Sequence, residues 1–209
     1  MAITLYHHPF SRAAGIIWPL EECGVSYELK FVDLMKGEHK HGDVAKNNRM
    51  GKLPVLVDGE TVVTEAAAID LYLADRYAYG RLAPKVDDPK RGTYLRWSFF
   101  SPSVIEPGAT AKGAKWEYKP AQAGWGSYDD MVASIEGALE GKDYVLGSEF
   151  SMADCVLGGT LRFMMMFKMV EPKPLFTAYV ERLGARPALK KADEINQKVM
   201  AEHGIKMPG

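Results

Sequence analysis

The chain has 209 residues, 47% of them hydrophobic and 25% charged, a composition that supports a buried core in one large domain or two small ones and excludes a disordered polymer. Twenty-six Lys and Arg stand against 27 Asp and Glu, so no global field favours nucleic acid or an anionic membrane, and small molecules or proteins are the expected partners. No apolar run approaches the roughly 20 residues that span a bilayer, and residues 1–9 lack a basic start followed by an apolar stretch, so a cytoplasmic location is expected.

In chain order, Ile3 to Tyr6 reads as a strand, His8 to Ser11 as a turn, and Ala13 to Cys23 as a helix closed by Gly24, with Pro19 expected to kink it. Tyr27 to Val32 alternates apolar and polar residues as a second strand. A polar crossing from Lys36 to Met50 leads to a third strand, Leu53 to Val57. Asp58-Gly59 is a hairpin signal before a fourth strand, Thr61 to Thr64, and Glu65 opens an alanine-rich amphipathic helix to about Tyr77. The order βαβαββα predicts a thioredoxin-like α/β domain over residues 1–78.

Pro84 and Pro89, among charges, mark a linker over 79–89, and every strong segment of 90–209 is helical, which predicts an all-α C-terminal domain. Its helices are expected at Tyr94 to Phe100, interrupted by Pro102 and Pro107, then at Met131 to Leu139, Met152 to Met169 and Leu175 to Leu183. Ser151 and Asp154 are spaced as a reciprocal N-terminal cap. Cys23 and Cys155 lie far apart within helical patterns and predict two reduced, packed thiols. Adjacent His7 and His8 point to opposite faces of a strand, and with His39 and His41 they have no acidic or cysteine ligands at useful spacing, so no metal site is expected.

Three segments resemble the glutathione transferases: Gly37 to Gly59, with Pro54 opening the third strand; Thr64 to Arg76, an acid and small residues starting the third helix; and the Phe150 to Asp154 cap. The resemblance implies the glutathione-transferase fold and a glutathione site. A tripeptide thiol carrying an amine, two carboxylates and two amides needs an acid, basic or amide donors and a strand edge. The resemblance implies a cis Pro54 that turns the Leu53 backbone toward the cysteinyl part, Glu65 against the γ-glutamyl amine, the Ala66 amide at the neighbouring carboxylate, and Lys52 with His39 at the glycyl end. On the residues alone, Glu65 also reads as a helix-start acid and His39 as a solvated side chain. Many members carry serine where Ala66 stands.

A thiol with pKa about 8.5 is only a few per cent thiolate at neutral pH, so a hydroxyl donor near a helix start raises the nucleophile's population. Ser11 is the donor the resemblance implies, because Ser11 to Ile16 is similar to the start of the first helix in serine-type members, with Tyr6, His7 and His8 as substitutes; on the residues alone Ser11 also reads as an N-cap. The absence of cysteine in this turn argues against members that work through their own sulfur. Phe10, Trp97, Phe100 and Ser103 are the expected lining of an electrophile pocket between the domains, although core packing explains the same aromatics. The resemblance implies glutathione conjugation to a small apolar electrophile, by a homodimer with glutathione as co-substrate and no metal. The rivals are a non-catalytic ligand-binding or interaction protein, and a glutathione-dependent isomerase, dehalogenase or peroxidase.

Overall fold

A computed structural model describes residues 3–206. The chain divides into two compact units, one running to Tyr77 and resuming at Arg186, the other Ala78–Ala185. The sequence grouped 90–209 together; the structure differs in returning its last stretch to the first unit.

The first unit is built on a four-stranded sheet in the order β2-β1-β3-β4, with β1 Ile3–His7, β2 Tyr27–Phe31, β3 Val55–Asp58 and β4 Thr61–Thr64. β1 runs parallel to β2 and antiparallel to β3, and β3 and β4 form the Asp58-Gly59 hairpin. Edge strand β2 alternates half-buried Tyr27, Leu29 and Phe31 with exposed Glu28 and Lys30, the pattern that registers one face toward cover. Between β1 and β2, helix α1 (Ala13–Cys23) runs unbroken through Pro19 and ends where Gly24 takes φ +70° and returns its N–H to the Leu20 and Glu21 carbonyls. α2 (Gly42–Asn47) is short and buries Val44, and α3 (Ala66–Tyr77) buries Ile69, Leu73 and Ala74 on the side away from water.

Other helices carry the rest: α4 Arg91–Phe100, α5 Glu106–Gly113, α6 Tyr128–Leu139, α7 Met152–Met166, α8 Pro174–Gly184 and α9 Pro187–Glu202. Pro102 was expected to interrupt α4; instead Ser101–Ile105 widens into π-helical turns that join α4 to α5. α7 starts at the expected cap. The buried Asp154 carboxylate accepts the Ser151 N–H (2.9 Å), the Val145 N–H (2.9 Å) and the Tyr179 hydroxyl (2.8 Å), with the Ser151 hydroxyl at 3.2 Å. Burial pushes its pKa up and these donors pull it back. One turn on, a side chain at Gly158 would place Cβ 2.0 Å from Leu183 Cδ1 of α8, so glycine sets how closely the two helices approach.

α9 belongs to the first unit because its polar and charged residues fit α1. Arg186 clasps Glu22 with two bonds of 2.6 and 2.8 Å, and Lys191 reaches Glu21 at 2.7 Å. Asn196 Nδ2 donates to the Ala14 carbonyl at 3.1 Å. Among the described residues no helix is long and apolar enough to cross a membrane.

Candidate functional site

Strand register brings the expected glutathione residues to one end of the sheet. β1 and β3 pair Tyr6 with Val55, and β3 and β4 pair Val55 with Thr64. Continuing both ladders by one or two residues sets the turn after His7, the Leu53-Pro54 pair and Glu65 side by side.

At this end, Leu53-Pro54 is a cis peptide and precedes β3, which begins at Val55 rather than at Leu53 as expected. The Leu53 side chain is buried with Tyr6, Val44 and Val55. Among the described residues its N–H and C=O have no hydrogen-bond partner, so the backbone offers an open edge. Glu65 has φ +68°, a left-handed conformation that costs a β-carbon-bearing residue about 1–2 kcal/mol. Its carbonyl starts α3 by accepting the Ile69 N–H at 2.9 Å, and its exposed carboxylate has no partner among the described residues. Ala66 follows as the first residue of α3, where N–H groups are free to meet an anion.

Lys52 is exposed and makes no ion pair among the described residues. The loop before it is folded by Asn48, whose Nδ2 donates to the Lys52 carbonyl (3.1 Å) and whose Oδ1 accepts the Met50 N–H (3.1 Å). His39 lies in a single helical turn, Glu38–Lys40, packed on that loop: Lys40 Nζ donates to the Met50 carbonyl at 2.8 Å. At Gly51, φ is +59° and the His39 carbonyl lies 2.7 Å from where a Cβ would stand. Only glycine fits. Asn48 and Gly51 fall within the Gly37 to Gly59 stretch, and an Asn three residues before a Gly is the local turn signal there. His39 Nδ1 is buried without a protein partner among the described residues.

Ser11 sits half-buried in the turn before α1. Its hydroxyl donates to the His8 carbonyl (2.8 Å) and accepts the Ala13 N–H (3.2 Å), which is the geometry of a local cap. To hydrogen-bond a thiolate it must turn its proton away from that carbonyl. The substitutes are engaged elsewhere. The Tyr6 hydroxyl donates to Asp43 at 3.2 Å, and burial with that contact raises its pKa. His7 Nε2 lies 2.8 Å from Asn196 Oδ1. His8 Nδ1 accepts the Phe10 N–H at 3.0 Å, and burial lowers its pKa.

Phe10 is 41% exposed beside the His8 ring. In the second unit Trp97 is buried, its ring 4.9 Å from that of Phe100, and the exposed Ser103 hydroxyl donates to the Phe99 carbonyl. Among the described residues no group of three or more His, Cys, Asp or Glu is placed to hold a metal ion.

Two family models match the sequence: the glutathione S-transferase N-terminal domain over residues 1–75 and the glutathione S-transferase C-terminal domain over 119–190. The chain is 29% identical to glutathione S-transferase 2 of Schizosaccharomyces pombe, over 96% of this chain and 98% of that protein. It is 27% identical to glutathione S-transferase GstA of Escherichia coli O157:H7, over 91% and 96% of the two chains. Among solved structures it superposes with a TM-score of 0.77 on the glutathione transferase URE2P6 from Phanerochaete chrysosporium in complex with oxidized glutathione, at 26% identity over 94% of this chain and 97% of that one.

Proposed function

Since the chain belongs to the glutathione S-transferase family, we propose that it binds glutathione at the sheet end described above, activates its thiol and transfers it to a small apolar electrophile. The observation that carries this reading is the convergence, by strand register, of an unpaired backbone edge at Leu53 with a carboxylate at Glu65 held in a left-handed conformation. Backbone strain of this kind clusters at ligand-binding sites, which supports a role for the Glu65 carboxylate in contacting the ligand.

In this reading the Leu53 N–H and C=O pair with the cysteinyl unit as an added antiparallel strand. Glu65 takes the α-amine, and the Ala66 amide at the α3 N-terminus takes the neighbouring carboxylate. Lys52 and His39 take the glycyl end. The Ser11 hydroxyl exchanges the His8 carbonyl for the sulfur and stabilises the thiolate. The thiolate's electron pair then forms the bond to the electrophile: a leaving group departs with its bonding pair, or an addition product takes up a proton. Phe10, Trp97, Phe100 and Ser103 are the proposed electrophile contacts. A cytoplasmic homodimer completes the proposal.

One observation favours a second reading, in which glutathione is bound without activation: both hydrogen-bonding roles of the Ser11 hydroxyl are already filled within its own turn. Glutathione binding by calorimetry, beside the ultraviolet thiolate band across a pH series, separates the two in the parent protein and in Ser11→Ala. Binding with a thiolate band present at neutral pH, and lost in Ser11→Ala, supports the transferase. Binding without that band leaves the carrier, and absence of binding overturns both.

A further inference from the structure

His8-Pro9-Phe10-Ser11 is a β-turn between β1 and α1, closed by the Ser11 N–H donating to the His8 carbonyl at 3.0 Å. Proline suits the second place of such a turn because its φ is preset. The first place favours a short side chain that accepts the N–H two residues on, as Asp and Asn do. His8 fills that place with an imidazole, whose Nδ1 accepts the Phe10 N–H at 3.0 Å. One residue thus closes the turn twice, by its carbonyl and by its ring.

The ring bond sets the protonation of His8. Only a nitrogen with a lone pair can accept, so the imidazole is neutral and carries its proton on Nε2. The imidazolium form has a proton on both nitrogens and would set N–H against N–H at Phe10. The His8 ring is 5% exposed and lies beside the rings of Phe10 and Phe31, at 5.9 and 5.5 Å. Burial lowers its pKa, and the Asp33 carboxylate pulls it partly back. His203, stacked on the same Phe31 ring, pushes it down when charged, and adjacent His7 stays neutral to about pH 4.

The second closure matters when a thiol is activated. At rest the Ser11 hydroxyl donates to the His8 carbonyl at 2.8 Å, and turning to a sulfur gives that bond up. The Phe10 N–H bond to Nδ1 and the Ser11 N–H bond to the carbonyl are then what hold the turn. Without the first of these the hydroxyl wanders, and a donor off its line stabilises an anion less.

Given the reading in which Ser11 receives the glutathione sulfur, on which this role rests, we propose that His8 is a positioning residue for thiol activation, its Nδ1 lone pair fixing the turn that presents Ser11.

The test follows the pKa of the bound glutathione thiol, by its ultraviolet thiolate band, in the parent protein, His8→Asn, His8→Phe, Ser11→Ala and the double variant His8→Phe/Ser11→Ala. Asn keeps an acceptor at the place of Nδ1 and does not titrate, whereas Phe keeps the ring packing and has no acceptor. His8→Phe is expected to weaken thiolate stabilisation about fivefold, the worth of one hydrogen bond. His8→Asn should recover most of that loss, and His8→Phe should add nothing once Ser11 is alanine. In NMR of the protein without glutathione, the Phe10 and Ser11 amides should shift together with the His8 ring, at a pH below the ordinary 6.5, and lose that step in His8→Asn. His8→Leu serves if circular dichroism shows His8→Phe misfolded. A parent protein whose bound thiol keeps its ordinary pKa overturns the Ser11 reading and this role with it. Where the parent does lower that pKa, the role of His8 alone is overturned by an unchanged value in His8→Phe, by no recovery in His8→Asn, by an equal further loss in the double variant, or by a Phe10 amide that ignores the His8 titration.

Discussion

Replacing Asp154 by alanine removes one buried carboxylate that organises three separated stretches of the second unit: the Val145 segment, the α7 cap and α8. The Val145 N–H and the Tyr179 hydroxyl then lose their acceptor in a region sealed from water, at about 1–3 kcal/mol each. The Ser151 end of α7 loses its cap, worth about 1 kcal/mol. The Ser151 hydroxyl can rotate to another acceptor, so its 3.2 Å contact adds little. The expected loss is therefore about 3–7 kcal/mol, a large part of the stability of an ordinary domain. Urea unfolding followed by far-ultraviolet circular dichroism reads this as a lower midpoint. Tyr179→Phe, which removes one donor and leaves the carboxylate with its backbone partners, should cost about 1–2 kcal/mol. A loss below about 1 kcal/mol for Asp154→Ala would refute the view that this carboxylate carries the junction of α7 and α8.

At Glu65, Glu65→Ala and Glu65→Gly should both weaken glutathione binding in calorimetry, but Glu65→Gly should be about 1 kcal/mol more stable than Glu65→Ala, because only glycine takes φ +68° without steric cost; equal stabilities would remove the strain argument. His7 is buried neutral with its pKa lowered from 6.5 to about 4. On acidification the unfolded chain therefore binds the proton first: the contribution is complete above pH 6.5 and drains away as pH falls toward 4, by about 1.4 kcal/mol per unit and about 3 kcal/mol in all. Urea melts across that range and an NMR titration of the ring check it, and a native His7 that titrates near its ordinary value would contradict the burial argument.

The sequence carried the sheet and its helices because their signals are local. β2 shows a clear two-residue alternation, Gly24 sits where α1 must turn back, and Asp58-Gly59 sits between two β-branched strands. α2 was passed over as a polar crossing because six residues with one buried side chain, Val44, leave no periodic stripe. The π-helical turns around Pro102 were hidden because proline reads as a break, whereas wider turns can carry the chain past it. The placement of α9 rests on Arg186 meeting Glu22, 164 positions away, and no local pattern encodes such a pair. At the candidate site, Leu53, Pro54, Glu65 and Ala66 were picked out by resemblance together with the chemistry of a tripeptide. The positive φ of Glu65, the packing at Gly51 and the bonds of the Ser11 hydroxyl are properties of backbone geometry that residue identity does not display.

The return of α9 to the first unit has a consequence for biosynthesis. The strands of that unit are all translated by Thr64, yet the helix that covers His7 and Phe31 begins only at Pro187. At about 5–20 residues per second, the ribosome needs roughly 5–20 s to pass from Tyr77 to Arg186. Throughout that interval His7, Leu29 and Phe31 lack their last cover, while residues 78–185 can already collapse on their own contacts. The unit encoded first is thus the unit completed last, and a nascent chain stalled before Pro187 presents a sheet edge at β2 for chaperones or for other nascent chains to occupy.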